Sequence, residues 1–387
     1  MTVSPVGGFG IYVHWPFCLA KCPYCDFNSH VRHQPVSQET YAKALATELA
    51  RYAQMVPGRT VDSIFFGGGT PSLMEPKTVE TVLNEIARLW HVPDTAEISM
   101  EANPTSVEAT RFAGYRSAGV NRLSVGIQAL DDKELKILGR QHSVSEAIQA
   151  VEIARKTFPR ISFDLIYARP QQTLKAWEQE LNRAIDLAAD HLSMYQLTIE
   201  SGTMFQRLYA AGKLEMLDPD LAADMFDLTR EVTAARGLPA YEVSNHAAPD
   251  AQCQHNLIYW RYGDYVGVGP GAHGRLTLEG GSRLATSTEK HPETWLGLVE
   301  SQGHGSISED GLGREEQSDE MLLMGMRLHE GIEVPRYEQL SGRQFNPQRL
   351  LNLQENGMVE WVGNSRVRAT QAGFPLLDAV IAELASD

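Results

Sequence analysis

Cysteine is scarce, with four in 387 residues. So few thiols exclude a disulfide framework and fit a reducing compartment. Basic residues are also short, 34 Lys and Arg against 49 Asp and Glu, for a formal net charge of −15. Nucleic-acid binding depends on neutralising phosphates, so no nucleic-acid partner is expected. The same charge opposes adhesion to acidic lipid and leaves at most peripheral membrane contact. No run of about eighteen apolar residues exists, and no membrane span is expected. The opening Met-Thr-Val-Ser-Pro-Val-Gly-Gly lacks the basic segment and apolar core of a secretory signal, so the expected location is cytoplasmic. Repeats and low-complexity stretches are absent. Hydrophobic residues reach 43%, enough for sizeable cores, and the length suits about two to three domains.

Three of the four cysteines, Cys18, Cys22 and Cys25, fall within eight positions as C-x₃-C-x₂-C. A short apolar run, Ile11 to Val13, precedes them, and Pro16 and Pro23 keep the segment out of a regular helix. This reads as a loop after a strand, with three thiolates able to converge. Lys21 and Asp26 between them argue against ordinary core packing. Thiolates suit zinc or iron–sulfur centres. Three cysteines on a four-iron cluster leave one iron open. The rival is a zinc site completed by His14 or His30.

Strand and helix patterns then alternate. Strands are expected at 61–66, 97–101, 122–128, 161–167 and 191–198, and helices at about 38–54, 76–90, 106–117, 143–157 and 173–188. With the first strand this makes six strand–helix units, an α/β fold with a parallel sheet. Six units are too few for a closed eight-fold barrel, so a partial (β/α)6 barrel is expected. Chemistry in such folds sits at the C-terminal strand ends. That rule selects the cysteine loop, Gly67-Gly68-Gly69-Thr70, Glu101, Gln128 and Asp164. The glycine run by itself could be a plain tight turn.

Beyond residue 203 the pattern loosens. Helical stretches at about 203–213 and 219–235 precede Tyr241 to His246, then Cys253 to Trp260 and a glycine-rich turn, Gly267 to Gly274. Residues 301–313 look like a linker. Helices at about 315–329 and 346–356, a hairpin from Met358 to Ala369 turning at Gly363-Asn364, and a last helix near Phe374 outline a small winged-helix-like C-terminal domain. Its acidic setting suggests a lid or contact role. The expected division is 1–240 for the barrel, 241–305 for an extension and 306–387 for the C-terminal module.

C-x₃-C-x₂-C with Tyr24 before the last cysteine resembles the signature of radical S-adenosylmethionine (SAM) proteins. The resemblance implies a [4Fe-4S] cluster on Cys18, Cys22 and Cys25 and SAM on its open iron. Tyr-Val-His-Trp-Pro-Phe-Cys, Gly-Gly-Gly-Thr-Pro-Ser, Glu-Ala-Asn-Pro, Ser-Val-Gly-Ile-Gln, Leu-Gly-Arg-Gln-His and Asp-Leu-Ile-Tyr are similar to oxygen-independent coproporphyrinogen III oxidases and their relatives. In that group the positions of Tyr12, Gly68, Gly69, Thr70, Glu101, Gln128, Arg140 and Asp164 contact SAM. Tyr24 is a further candidate against cluster or adenine, and Arg140 could pair a carboxylate in a two-pronged bond.

Two departures from the oxidases stand out. Phe27 occupies the position of a further cysteine, and only ten residues precede the first strand. His255-Asn256-Leu257-Ile258-Tyr259-Trp260 resembles the H-N-x-x-Y-W motif of the heme chaperone branch, which implies His255 as a heme ligand. Cys253, two residues upstream, is read as an ordinary small buried residue, the alternative being a second ligand. The resemblance thus implies a heme chaperone that carries a [4Fe-4S] cluster, SAM and heme, serves recipient hemoproteins and forms a homodimer. The alternative is an anaerobic coproporphyrinogen III dehydrogenase.

Overall fold

The computed structural model describes residues 6–188 and 190–385. Its main sheet has eleven strands. In chain order they are β1 (Phe9–Trp15), β2 (Ser63–Gly68), β3 (Glu97–Ala102), β4 (Arg122–Gln128), β5 (Arg160–Tyr167), β6 (His191–Gln196), β7 (Asn245–Ala247), β8 (Asp264–Val268), β9 (His273–Thr277), β10 (Arg283–Thr288) and β11 (Ser306–Leu312). Strands β1 to β6 run parallel in sequence order. This is the expected partial barrel.

Side-chain alternation decides which face is which, because successive residues of a strand point to opposite sides. Ile11, Val13, Ile64, Phe66, Met100, Leu123, Val125, Phe163, Leu165, Leu192 and Met194 join the main core with the helices. The intervening positions are polar or aromatic: Tyr12 and His14, Glu97, Ser99 and Glu101, Arg122 and Ser124, Asp164, Ser193 and Tyr195. The barrel is therefore greasy outside, where helices cover it, and polar inside.

The helices start on local signals. Ser37 caps Gln38–Met55 by accepting from Thr40 N. Pro76 occupies the first turn of Pro76–Leu89. Ser143 and Glu146 form a capping box on Val144–Thr157. The single helix expected at 106–117 is two, Ser106–Ala109 and Phe112–Ala118, with the break at Thr110-Arg111.

Two readings of the chain after residue 260 need correction. The glycine-rich stretch is not only a turn: β8 adds a seventh parallel strand beside β1, with Ile11 opposite Val266. Nor is 301–313 a linker, since β11 pairs with β10 as the sheet's edge. Its residues are mostly exposed, so it carries no buried face for the sequence to display. Glu48, buried on Gln38–Met55, binds this extension by accepting from Gly269 N, Gly305 N and Trp295 Nε1. Past β11 come helix Arg314–Gly325, β12 (Ile332–Glu333), helices Val334–Ser341 and Pro347–Glu355, β13 (Val359–Val362) and β14 (Arg366–Ala369). That is a winged-helix order, with its own core around Leu322, Met326, Tyr337 and Val367. Helix Val334–Ser341 is additional to the sequence reading.

Candidate functional site

The C-terminal ends of the barrel strands open on a cavity of about 350 Å³. Cys18, Cys22, Tyr24, Cys25, Gly68, Gly69, Thr70, Glu101, Gln128, Arg140 and Asp164 all line it. Tyr12 and His255 do not. Eleven of the thirteen residues named from sequence thus meet in one place.

The cysteine loop is closed at its base by a short parallel ladder, Phe17 with His30 and Cys18 with Val31. Thr70 Oγ1 donates to Cys18 Sγ at 3.3 Å, and Arg140 Nη1 donates to Cys22 Sγ at 3.4 Å. Charge-bearing sulfur is the acceptor that such donors favour. As free thiols, Cys18 and Cys25 are pushed up in pKa, chiefly by burial. The donor set fits an iron–sulfur cluster. It fits the zinc rival less well. His14 spends Nε2 on Asn28 O (2.9 Å) and Nδ1 on Tyr12 Oη (3.1 Å), while His30 faces Asn28 Oδ1 and Lys290 O. Among the described residues, no three His, Cys, Asp or Glu side chains converge on a single-ion position.

The glycine run lies against two rings. A Cβ on Gly67 would meet Tyr12 Cε2 at 2.8 Å, and one on Gly68, at φ +112°, would meet the His14 ring at 2.7 Å. Only glycine lets the backbone sit this close. Tyr12 therefore lies behind the glycine run rather than in the cavity.

Across the cavity, Gly68 N donates to Glu101 Oε2 at 3.3 Å. Burial, then Asp164, lifts the Glu101 pKa to about 8. Burial also raises Asp164, against hydrogen bonds from Ser193 and Ser124. Among the described residues neither carboxyl has an ion-pair partner. Two desolvated carboxyls outside any direct ion pair suit an ammonium or sugar hydroxyls, the groups SAM presents.

Arg140 is more committed than expected. Its Nη2 donates to Asn103 Oδ1 (2.6 Å) and Gly126 O (2.7 Å), and Asn103 Nδ2 reaches Thr70 Oγ1 at 3.4 Å. A hydrogen-bonded wall thus runs from Cys22 through Arg140, Asn103 and Thr70 to Cys18. Arg140 Nη2 is thereby taken up, while Nε is buried without a hydrogen-bond partner among the described residues. Gln128 ends β4 with φ +75°, a left-handed backbone uncommon outside glycine and frequent at functional sites. Asn103, Ser124, Gly126 and Tyr195 also line the cavity and were not singled out from sequence. Asn103 stands in the quoted Glu-Ala-Asn-Pro motif, and Tyr195 obeys the same strand-end rule as Asp164.

His255 stands outside the lining of this cavity. It belongs to helix Gln254–Trp260, is 1% exposed, and borders a pocket of about 160 Å³ that adjoins the cavity, since Glu101, Ser124, Asp164 and Tyr195 line both. Ser63 Oγ bonds its Nδ1 at 2.7 Å and Tyr259 Oη its Nε2 at 2.8 Å. Both ring nitrogens of His255 are thus hydrogen-bonded within the chain. Cys253 is buried, with Sγ donating to Glu97 Oε1 at 3.3 Å.

The fold and this cavity define a radical SAM protein. The sequence model of the Radical SAM superfamily matches residues 12–184, and that of the HemN C-terminal domain matches residues 312–376. Coproporphyrinogen III oxidase (HemN) from Escherichia coli shares the fold, with a TM-score of 0.81 at 21% identity over 98% of this chain and 90% of that one. The heme chaperone HemW of Escherichia coli is 40% identical over 85% of this chain and 84% of its own, and that of Haemophilus influenzae 39% identical over 86% of each. Bovine (Bos taurus) radical S-adenosyl methionine domain-containing protein 1, mitochondrial, is 38% identical over 97% of this chain and 87% of its own. The chain belongs to the radical SAM family of these HemW heme chaperones.

Proposed function

We propose that this chain binds heme and delivers it to hemoproteins, with a [4Fe-4S] cluster on Cys18, Cys22 and Cys25 and SAM in the adjoining cavity. The observation that carries the reading is the span of its kinship, at 39–40% identity over 84–86% of the HemW chaperones' length. A bound cluster supplies an iron with an open position and one-electron reducing power. The chain's own residues do the rest. Thr70 and Arg140 donate to the cysteine sulfurs, Glu101 and Asp164 meet the cationic and hydroxyl groups of SAM, and the Gly67–Gly69 backbone admits the ligand closely. Among the described residues no helix is long and apolar enough to cross a membrane. A reducing, cytoplasmic compartment and a cluster-supported homodimer belong to the same reading.

Phe27 bears on the alternative. It is 58% exposed beside the cysteines, and it offers no sulfur where the oxidases carry one. The test is anaerobic reconstitution followed by hemin titration and transfer to an apo-hemoprotein. About four irons per chain, stoichiometric hemin uptake and transfer are expected. Conversion of coproporphyrinogen III to protoporphyrinogen with SAM and reductant would overturn the reading in favour of the dehydrogenase.

A further inference from the structure

A continuous set of rings runs from His255 to the cysteine loop. His255 stacks on Phe65 with centroids 5.1 Å apart and interplanar angle 23°, and on Tyr12 at 6.3 Å and 28°. Phe65 and Tyr12 stack on each other at 6.3 Å and 20°. Tyr12 presses on Gly67, and its hydroxyl meets His14 Nδ1 at 3.1 Å. His14 lies under Gly68, and its Nε2 meets Asn28 O at 2.9 Å, within the cysteine loop.

The far end is fixed as firmly. A neutral imidazole has one donor and one acceptor nitrogen, and Ser63 and Tyr259 use both. Burial holds the His255 pKa down to about 3, so the ring stays neutral at physiological pH. Glu97 anchors its helix by accepting from Gln254 N at 3.1 Å, His255 N at 3.3 Å and Cys253 Sγ at 3.3 Å. Even Gly10 of β1 leaves only 3.2 Å between its ideal Cβ and His255 Cε1. Interiors packed this closely transmit a displaced ring to its neighbours.

We infer that His255 is a positioning residue for the Gly67–Gly69 run and the cysteine loop, acting through Tyr12 and His14, and that it does not bind heme iron. The inference rests on the SAM-binding part of the proposed function. The glycine run has no side chains of its own to fix it, so the rings behind it set where its backbone stands. His255 is the back wall of those rings.

The test uses the full chain, reconstituted anaerobically, with SAM and hemin titrated separately. His255→Ala is expected to weaken SAM binding about tenfold. It should also alter the change that SAM causes in the electron paramagnetic resonance spectrum of the reduced cluster. Iron content and hemin affinity should match the parent. His255→Gln, which keeps a donor and an acceptor for Tyr259 and Ser63, should recover part of the SAM affinity. Because loss of the ring could unfold the barrel, Tyr12→Phe provides a second arm. It keeps the ring, removes the bond to His14, and should weaken SAM binding in the same direction with hemin unchanged. Unchanged SAM affinity in both variants overturns the inference. So does a loss of hemin affinity in His255→Ala with SAM binding intact, which would return His255 to heme. A parent chain that takes up hemin but no SAM overturns the inference while leaving heme carriage standing.

Discussion

The guanidinium of Arg140 reaches the sulfur of Cys22 at 3.4 Å while its other amino group is held by Asn103 and Gly126. A fixed cation beside a cluster ligand favours the reduced, more negative cluster. Arg140→Met should therefore load iron normally yet lower the cluster potential, by on the order of tens of millivolts. Arg140→Lys, which cannot reproduce the fork, should fall between. Potentiometric titration of the reconstituted protein measures both, and an unchanged potential in Arg140→Met would show that the contact does not tune the cluster.

Glu101 gives a pH signature. Its folded pKa, raised from 4.5 to about 8, means that the folded chain holds a proton the unfolded chain has released. This contribution to stability is fully present below about pH 4.5 and is lost as pH rises through 8. In Glu101→Gln the group cannot ionise. The variant's melting temperature, without SAM, should match the parent near pH 5 and exceed it near pH 8. Asp164 is also raised, so some slope should persist in the variant. Thermal melts across pH 5–8 decide it, and parallel curves for the two proteins would disprove the assignment.

The same carboxyl shows how much the sequence displays. Glu101, Gln128 and Asp164 were legible because strand ends are where a parallel barrel gathers chemistry. The strands themselves were legible from their apolar outward positions. The inward alternation, Glu97-x-Ser99-x-Glu101 and Arg122-x-Ser124, was equally written in the chain and marks the barrel interior as polar. What sequence could not supply was partnership across long separations. Thr70 with Cys18 and Arg140 with Cys22 are 52 and 118 residues apart. The burial of His255 was hidden for a different reason, since a motif names residue types but not the side of the fold they face. Strand β11 was hidden because an exposed edge carries no hydrophobic period to read.

The cysteines divide three against one. Cys18, Cys22 and Cys25 line the cavity, and each single change to Ala should reduce iron from about four per chain to a small residue. Folding should survive, because the loop lies at the barrel rim and the main core does not include these residues. Cys253→Ala should keep its iron and lose about 1 kcal/mol of stability with the hydrogen bond to Glu97. Iron assay beside denaturant unfolding separates the two classes. Full iron in any of the three rim variants would remove that cysteine from the ligand set.

Gly68→Ala tests the cradle most directly. The backbone there is at φ +112°, and an added Cβ would stand 2.7 Å from the His14 ring. Both effects act together, strain in a region closed to other residues and overlap with a ring that cannot retreat. His14 is held at both nitrogens, by Tyr12 and by Asn28. The loss of stability should be about 1–3 kcal/mol, the usual cost of overpacking or of a forced backbone. SAM binding should fall further than stability does, since relief of the clash moves the Gly68 amide that faces Glu101. Gly119→Ala is the control. It too has positive φ, at +121°, but its Cβ would meet only Leu83 Cδ1, at 3.3 Å, away from the cavity. Gly119→Ala should lose stability and keep SAM affinity. Equal SAM affinities in the two glycine variants, read by calorimetric titration, would reject the cradle.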